Sequence, residues 1–347
     1  MSRVYIATTS PKKVITDYQK LLQKAQYLKG LKKGLPIVLK LNQAGERFYP
    51  ASSTPPWQLE GVIKTLISDG IKPKDIIAIE DSSSQSLKIS INNKWSSILK
   101  KYGVKLHHLS QEKYVDVKIS SELSVLGNKI KLPKIIVGKN LITLSTLGMS
   151  ARTTINGAVK NYFGILDSKK DYNFRVLNQI LIDLLVIQRE VHPGSFSVMD
   201  ATIVGKEAYL PSGDWEIKNY ILGSVDPVAL DSTAVKMMGF NPLKTDYLSL
   251  AEDQGLGKAS PKKIKVVGLD ISKINWHFRR RDNFASRSIR LMSRSPFWIE
   301  KLLLRSPIIR GSVIQKLYRD YYWWNLVGKG KVGEFLKTDW GHFFQSF

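Results

Sequence analysis

Apolar residues recur along the chain with two periods, and the switching between them predicts alternating strands and helices. Val4 to Thr8 reads as a strand, followed by a helical stretch from about Ile15 to Leu28. Ile37 to Asn42 is a strand behind Pro36, and Trp57 to Ser68 is an amphipathic helix opened by Pro55-Pro56 and closed by Gly70. Ile76 to Ile79 gives a third strand, Trp95 to Tyr102 a helix end, and Val104 to Leu109 a fourth strand. Such alternation predicts an α/β fold: a mixed, largely parallel sheet with helices on both faces, since each crossover lays its helix on the sheet.

The pattern then changes. From about Val115 to Ser145, short apolar runs are broken by Gly127-Asn128, Pro133 and Gly138-Lys139, which predicts an insertion of antiparallel hairpins at about 115–145. Helices return at about Thr154 to Leu166 and Phe174 to Arg189, with strands at Phe196 to Thr202 and Tyr220 to Ser224. Pro227 to Met238 and Tyr247 to Asp253 read as helices, and Ile264 to Val267 as the last strand. Residues 1–274 thus form one α/β domain, and 275–347 a basic, aromatic-rich helical extension. From His277 on, fourteen Lys and Arg face five Asp and Glu, among Trp298, Trp323, Trp324 and Trp340.

Composition narrows the chemistry. A chain of 347 residues with 43% hydrophobic content can bury a real core. No apolar run approaches the length of a membrane span; the most apolar stretch, Ile180 to Ile187, is short and carries Asp183. Met1-Ser2-Arg3 leads directly into a strand, so a signal peptide is not expected and the protein is expected to be cytoplasmic. The absence of cysteine excludes disulfides, thiol nucleophiles and Cys-ligated zinc, and no iron–sulfur cluster is expected. A net charge of +24 creates a field that attracts phosphates, anionic lipid or nucleic acid.

Several segments follow one another in order: Val38-Leu39-Lys40-Leu41-Asn42, Thr54-Pro55, Ile79-Glu80-Asp81-Ser82, and Thr153 to Gly164 with its Lys160-Asn161-Tyr162-Phe163-Gly164. Val198-Met199-Asp200-Ala201, Ser224 to Asp231, Met238-Gly239-Phe240 and Gly255-Leu256-Gly257 continue the series. Together they resemble the DUF362 family, a domain of unknown function, most strongly over about residues 34–268. Leu41 stands where the family usually has Pro, and the His of its Thr-His-Pro is missing at Thr54-Pro55. Many members carry a ferredoxin-like cluster domain, which a chain without cysteine cannot supply.

Lys40 and Asn42 lie two apart on a strand and face the same way at its C-terminal end, where open parallel sheets bind ligands. They would hold a carboxylate or phosphate, although a solvated lysine and a turn-capping asparagine fit the same residues. Asp81 ends the next strand, as a substrate- or cation-orienting carboxylate or as a cap before Ser82-Ser83-Ser84. Lys160 and Asn161 fall off the apolar stripe of their helix, and the resemblance is what turns them toward a cleft. Asp226 before Pro227 is an N-cap, whereas Asp200 and Asp231 are partly buried carboxylates that need partners, with Lys40 and Lys160 the candidates for Asp231. No histidine pair has ligand spacing, so no metal site is expected.

The expectation is an enzyme acting on a small anionic substrate at the strand ends, reaction type and cofactor open. Lys40, Asn42, Thr54 and Asn161 would bind, with Asp81, Asp200, Asp231 and Lys160 catalytic. The alternative is a peripheral membrane protein working through the basic, aromatic segment 283–327 on an anionic surface such as the inner face of the membrane, or a nucleic-acid binder using the same tail.

Overall fold

The computed structural model describes residues 1–81, 87–167, 176–207, 213–279 and 318–347. Its strands are β1 (Ser2–Thr8), β2 (Ile37–Leu41), β3 (Ile76–Glu80), β4 (Lys105–His108), β5 (Tyr114–Lys118), β6 (Lys129–Pro133), β7 (Asn140–Ser150), β8 (Thr154–Asn156), β9 (Ser195–Gly205), β10 (Trp215–Ser224) and β11 (Ile264–Val267). Nine of them make one sheet in the order β11-β1-β10-β9-β7-β2-β3-β4, with β8 paired to β7, and β5 and β6 form a separate hairpin. β9, β7, β2, β3 and β4 run parallel. β10 is antiparallel to both neighbours, and β11 is parallel to β1. The fold is therefore α/β with a mixed, largely parallel sheet.

Strand β2 shows why the centre of the sheet is covered on both sides: all five residues of Ile37-Val38-Leu39-Lys40-Leu41 are buried. One face carries α1 (Val14–Lys24), α2 (Pro56–Ser68), α3 (Leu87–Asn92) and α4 (Trp95–Tyr102), around a core containing Tyr18, Trp57 and Trp95. The other carries α5 (Ala158–Asn161), α6 (Leu177–Val191), α7 (Pro227–Met238) and α8 (Asp246–Asp253), around a core of Ile180, Leu184, Leu230 and Met237. Asp226 caps α7 by accepting from the Val228 and Ala229 amides, with Pro227 at the first helical position.

Two stretches depart from the sequence reading. The hairpin expected at about 115–145 ends with β6, and Asn140 onward is a central strand, parallel to both β2 and β9. Its polar Thr143, Ser145 and Thr146 concealed it, yet all are buried in the sheet. The helix expected from Thr154 begins only at Ala158. Thr154–Asn156 instead pair antiparallel with β7, and Thr154 takes a left-handed φ of 66° that no helix accepts.

The C-terminal helices α9 (Lys329–Leu336) and α10 (Asp339–Gln345) complete the α2-side core. Phe335 is fully buried, Phe344 stacks on Phe48 at 4.0 Å, and Trp340 packs on Trp57 at 4.8 Å. Trp340 Nε1 also donates to Asn219 Oδ1 at 2.7 Å. Before α9, a π-helix at Tyr318–Gly328 leaves Tyr322, Leu326 and Val327 exposed. Of the segment expected to meet an anionic membrane, 283–317 lies outside the described residues. Among the described residues, no helix is long and apolar enough to cross a membrane.

Removing a buried tryptophan leaves a cavity and an orphaned partner. Trp340→Ala is expected to lower unfolding free energy by about 3–5 kcal/mol in urea titrations. A loss below about 1 kcal/mol would mean that α9 and α10 contribute nothing to the core.

Candidate functional site

The parallel strands β2, β3, β7 and β9 deliver their C-terminal ends to one edge of the sheet, where crossover loops build ligand sites. Lys40, near the end of β2, is 1% exposed, and its Nζ donates to the Leu41 carbonyl at 2.7 Å. Burial pushes its pKa down, while the nearby charges of Asp81 and Glu80 work against that shift. Glu80 is itself fully buried and pairs with His108 Nδ1. Gly164 makes this cluster possible: a Cβ there would sit 2.5 Å from Asp81 Oδ2 and 3.1 Å from Lys40 Nζ.

Asn161 belongs to the same cluster, donating from Nδ2 to the Lys40 carbonyl at 3.2 Å across 121 positions. Asn42 and Thr54 close a loop. Asn42 Nδ2 donates to the Ser52 carbonyl at 2.8 Å; Thr54 Oγ1 accepts the Asn42 amide at 2.7 Å and donates to the Leu144 carbonyl at 2.8 Å. Trp95 Nε1 donates to the Thr54 carbonyl at 2.8 Å, so the loop is clamped from both sides.

The two other carboxylates sit apart from this cluster. Asp200 Oδ2 accepts from Tyr18 at 2.7 Å and Trp57 Nε1 at 2.9 Å, and its Oδ1 accepts the Thr202 hydroxyl at 2.6 Å and amide at 3.0 Å. It ties β9 to α1 and α2; burial raises its pKa despite these donors. Asp231 reaches out of α7 to the start of α5, accepting from the Ala158 amide at 2.7 Å, the Val159 amide at 3.1 Å and Tyr247 Oη at 3.0 Å. The partners expected for it were Lys40 or Lys160; the structure supplies backbone amides, because the short α5 has no side-chain cap of its own. Burial lifts the Asp231 pKa to about 7, outweighing these hydrogen bonds, with the Asp226 charge adding to the rise. Gly157 leaves the room: any Cβ there would collide with the Asp231 carboxylate.

Lys160 faces a third direction. Its Nζ donates to Asn156 Oδ1 at 2.6 Å and to Ser150 Oγ at 3.1 Å, both in the β7–β8 hairpin. The side chain is half-buried, and burial together with Arg152 lowers its pKa to about 8. Arg152 itself is exposed in the hairpin turn. The structure thus joins Lys40, Asp81 and Asn161 in one cluster, puts Lys160 beside it on the same short helix, and separates Asp200 and Asp231 as braces.

Sequence reasoning did not single out Ser150, Arg152, Asn156 or the Glu80–His108 pair, which the structure sets beside Lys160 and Lys40. Asn156 carried a signal, standing four positions before Lys160. Ser150 carried none until the β7–β8 register, which sets it opposite Thr154, is known. A cavity of about 530 Å³ lies elsewhere, between α7 and β11, lined by Ser232, Lys236 and Asp270 among others and by none of the expected site residues. Among the described residues, no three His, Asp or Glu side chains converge on a metal position.

A family model described as "Domain of unknown function (DUF362)" matches residues 37–236, from the first residue of β2 into α7. No curated protein matches the chain.

Two glycines should answer oppositely to the same change. Gly157→Ala, which drives a methyl into Asp231, is expected to cost about 1–3 kcal/mol by chemical denaturation. Gly330→Ala, in open space within α9, is expected to stabilise by about 0.5–1 kcal/mol. Equal responses would contradict the packing at Gly157.

Asp231 also predicts a pH dependence. Its carboxyl holds a proton to about pH 7 in the fold, against about 4 in the unfolded chain. Its contribution to stability is therefore complete below about pH 4 and lost as pH rises through about 7. Stability of the wild type relative to Asp231→Asn should fall across that window; a difference flat in pH would reject the assignment.

Proposed function

The chain belongs to the DUF362 family, and from that premise we propose that it is an enzyme acting on a small carboxylate- or phosphate-bearing molecule at the C-terminal edge of its sheet. The observation that carries this reading is Lys160, which reaches from α5 into the β7–β8 hairpin and whose ammonium is disfavoured by burial and by Arg152 of the hairpin turn. Lys160 is half-buried, with hydrogen bonds to the neutral groups of Ser150 and Asn156, and lies close enough to Arg152 for that charge to depress its pKa. A half-buried ammonium whose charge is disfavoured by burial and by a nearby exposed guanidinium is one that a bound anion would stabilise. Lys40 differs, because Asp81 and Glu80 already balance it.

In this reading Arg152 is the outer contact for the anion, with a planar fork suited to carboxylate or phosphate. Lys160 is the inner, reactive group, since an amine titrating near pH 8 exchanges protons readily at working pH. Lys40, Asp81 and Asn161 form the charged wall behind α5, and Asp231 fixes the start of that helix. The overall charge of +24 brings anions to the surface, and the turn is where they would be held.

Thermal-shift titration with inorganic phosphate and with acetate tests the reading. A ligand at 100 times its dissociation constant adds about 2.7 kcal/mol of stability. Arg152→Ala, an exposed substitution, should change intrinsic stability by no more than about 0.5 kcal/mol while removing that gain. Stabilisation by neither anion, or equal stabilisation of the variant, would rule the site out.

A further inference from the structure

The geometry points to a serine–lysine nucleophilic centre at the β7–β8 hairpin, with Ser150 as nucleophile, Lys160 as its base and Asn156 as the residue that orients the base. The reaction class is acyl transfer from a small ester or amide. The proposal takes only its substrate's negative charge from the anion-binding reading above; the centre itself stands on side-chain geometry.

A serine hydroxyl is a weak nucleophile until a base within hydrogen-bond reach removes its proton, and that base needs a third group to aim it. Here Ser150 Oγ lies 3.1 Å from Lys160 Nζ, and the same nitrogen lies 2.6 Å from Asn156 Oδ1. An amide oxygen suits the third place, because it accepts a hydrogen from the amine whether Lys160 is charged or neutral. The Thr153 hydroxyl is shared between Ser150 Oγ at 2.9 Å and the Ile155 carbonyl at 2.8 Å, which fixes the nucleophile from the other side. Burial and Arg152 bring Lys160 within reach of neutrality at ordinary pH, as a base requires.

Backbone strain supports the assignment independently. Thr154 is β-branched, yet holds a φ of 66° directly after the turn. Such a residue in the left-handed region costs on the order of 1–3 kcal/mol and persists where the surroundings impose it, often at reactive sites. Its effect here is to close the hairpin with Ser150 opposite Thr154 and Asn156 opposite Gly148, so that Ser150 and Asn156 flank the amine. Ser150 is 5% exposed, whereas Arg152 is exposed and Lys160 half-buried, so the proposed substrate would approach from the Arg152 side.

The Ser150 oxygen bonds to the substrate's carbonyl carbon as its proton passes to Lys160 Nζ. The tetrahedral intermediate collapses, the bond to the leaving group breaks, and Lys160 returns the proton to the departing alcohol or amine. Water then attacks the Ser150 ester, giving a proton to Lys160, and the acid leaves as that proton restores the serine hydroxyl. Ser150 and Lys160 are catalytic residues in this scheme; Asn156 is a positioning residue.

The full chain treated with a small dialkyl fluorophosphate provides the test. Attack by Ser150 forms an O–P bond and expels fluoride, with the serine proton taken by Lys160. Intact-mass measurement should show one adduct, peptide mapping should place it on Ser150, and its rate should rise through about pH 8. Lys160→Met should slow labelling by about 100-fold or more, and Asn156→Ala should displace the pH midpoint. No adduct on the wild-type protein, an adduct on another residue, or a rate unchanged in Lys160→Met would overturn the proposal. The reagent is uncharged, so Ser150 labelling without phosphate stabilisation upholds the centre and removes the anionic substrate class. Phosphate stabilisation without labelling upholds anion binding and removes the centre.

Discussion

The carboxylate of Asp231 holds the site together from outside it. It is buried, belongs to α7, and serves as the N-terminal cap of a helix 73 positions earlier in the chain. That helix, α5, is a single turn, too short to persist without a partner for its first amides. Everything proposed for the site hangs from that turn. Lys160 projects into the β7–β8 hairpin, Asn161 binds the Lys40 carbonyl, and Gly164 seats against Asp81. The two glycines bracketing the Lys-Asn pair have matching tasks, since each leaves the volume that a carboxylate occupies. A short motif thus encodes a docking geometry between two layers of the fold.

The fold was legible in sequence wherever burial imposed a period. Ile37–Leu41 and Ile76–Glu80 read as strands because parallel strands buried on both faces are continuous apolar runs. Reading failed where polar residues are buried in the sheet. Thr143, Ser145 and Thr146 made β7 look like a hairpin, and its pairing with β2 and β9 is a long-range fact that no local window contains. The site was legible in part. Lys40 and Asn161 could be named from their motifs, and Asp226 from the Pro that follows it. Asp200 and Asp231 were visible as carboxylates in need of partners, but the donors that satisfy them lie on distant elements. Ser150 is an ordinary residue until tertiary pairing sets it against an amine.

The two internal lysines, Lys40 and Lys160, meet opposite surroundings. Lys40 lies near the charges of Asp81 and Glu80, whereas Lys160 has neutral hydrogen-bond partners and a cationic neighbour. The difference lies in environment rather than residue type. A buried cation with its counter-ions in place has little to gain from a ligand; one held among dipoles and near a like charge gains a great deal. The depressed proton affinity of Lys160 and the anion-contact role proposed for it rest on the same local field.

The packing of Phe335, Trp340 and Phe344 around Trp57 has a consequence for biogenesis. Strand β1 lies between β10 and β11, and the aromatic face of α2 is completed only by α9 and α10. During synthesis at about 5–20 residues per second, the amino-terminal elements emerge many seconds before their partners exist. The nascent chain carries an unfinished sheet edge and an open aromatic surface until those last helices clear the ribosome. Closure of β1 into the sheet therefore waits for β10 and β11, elements made much later in the chain.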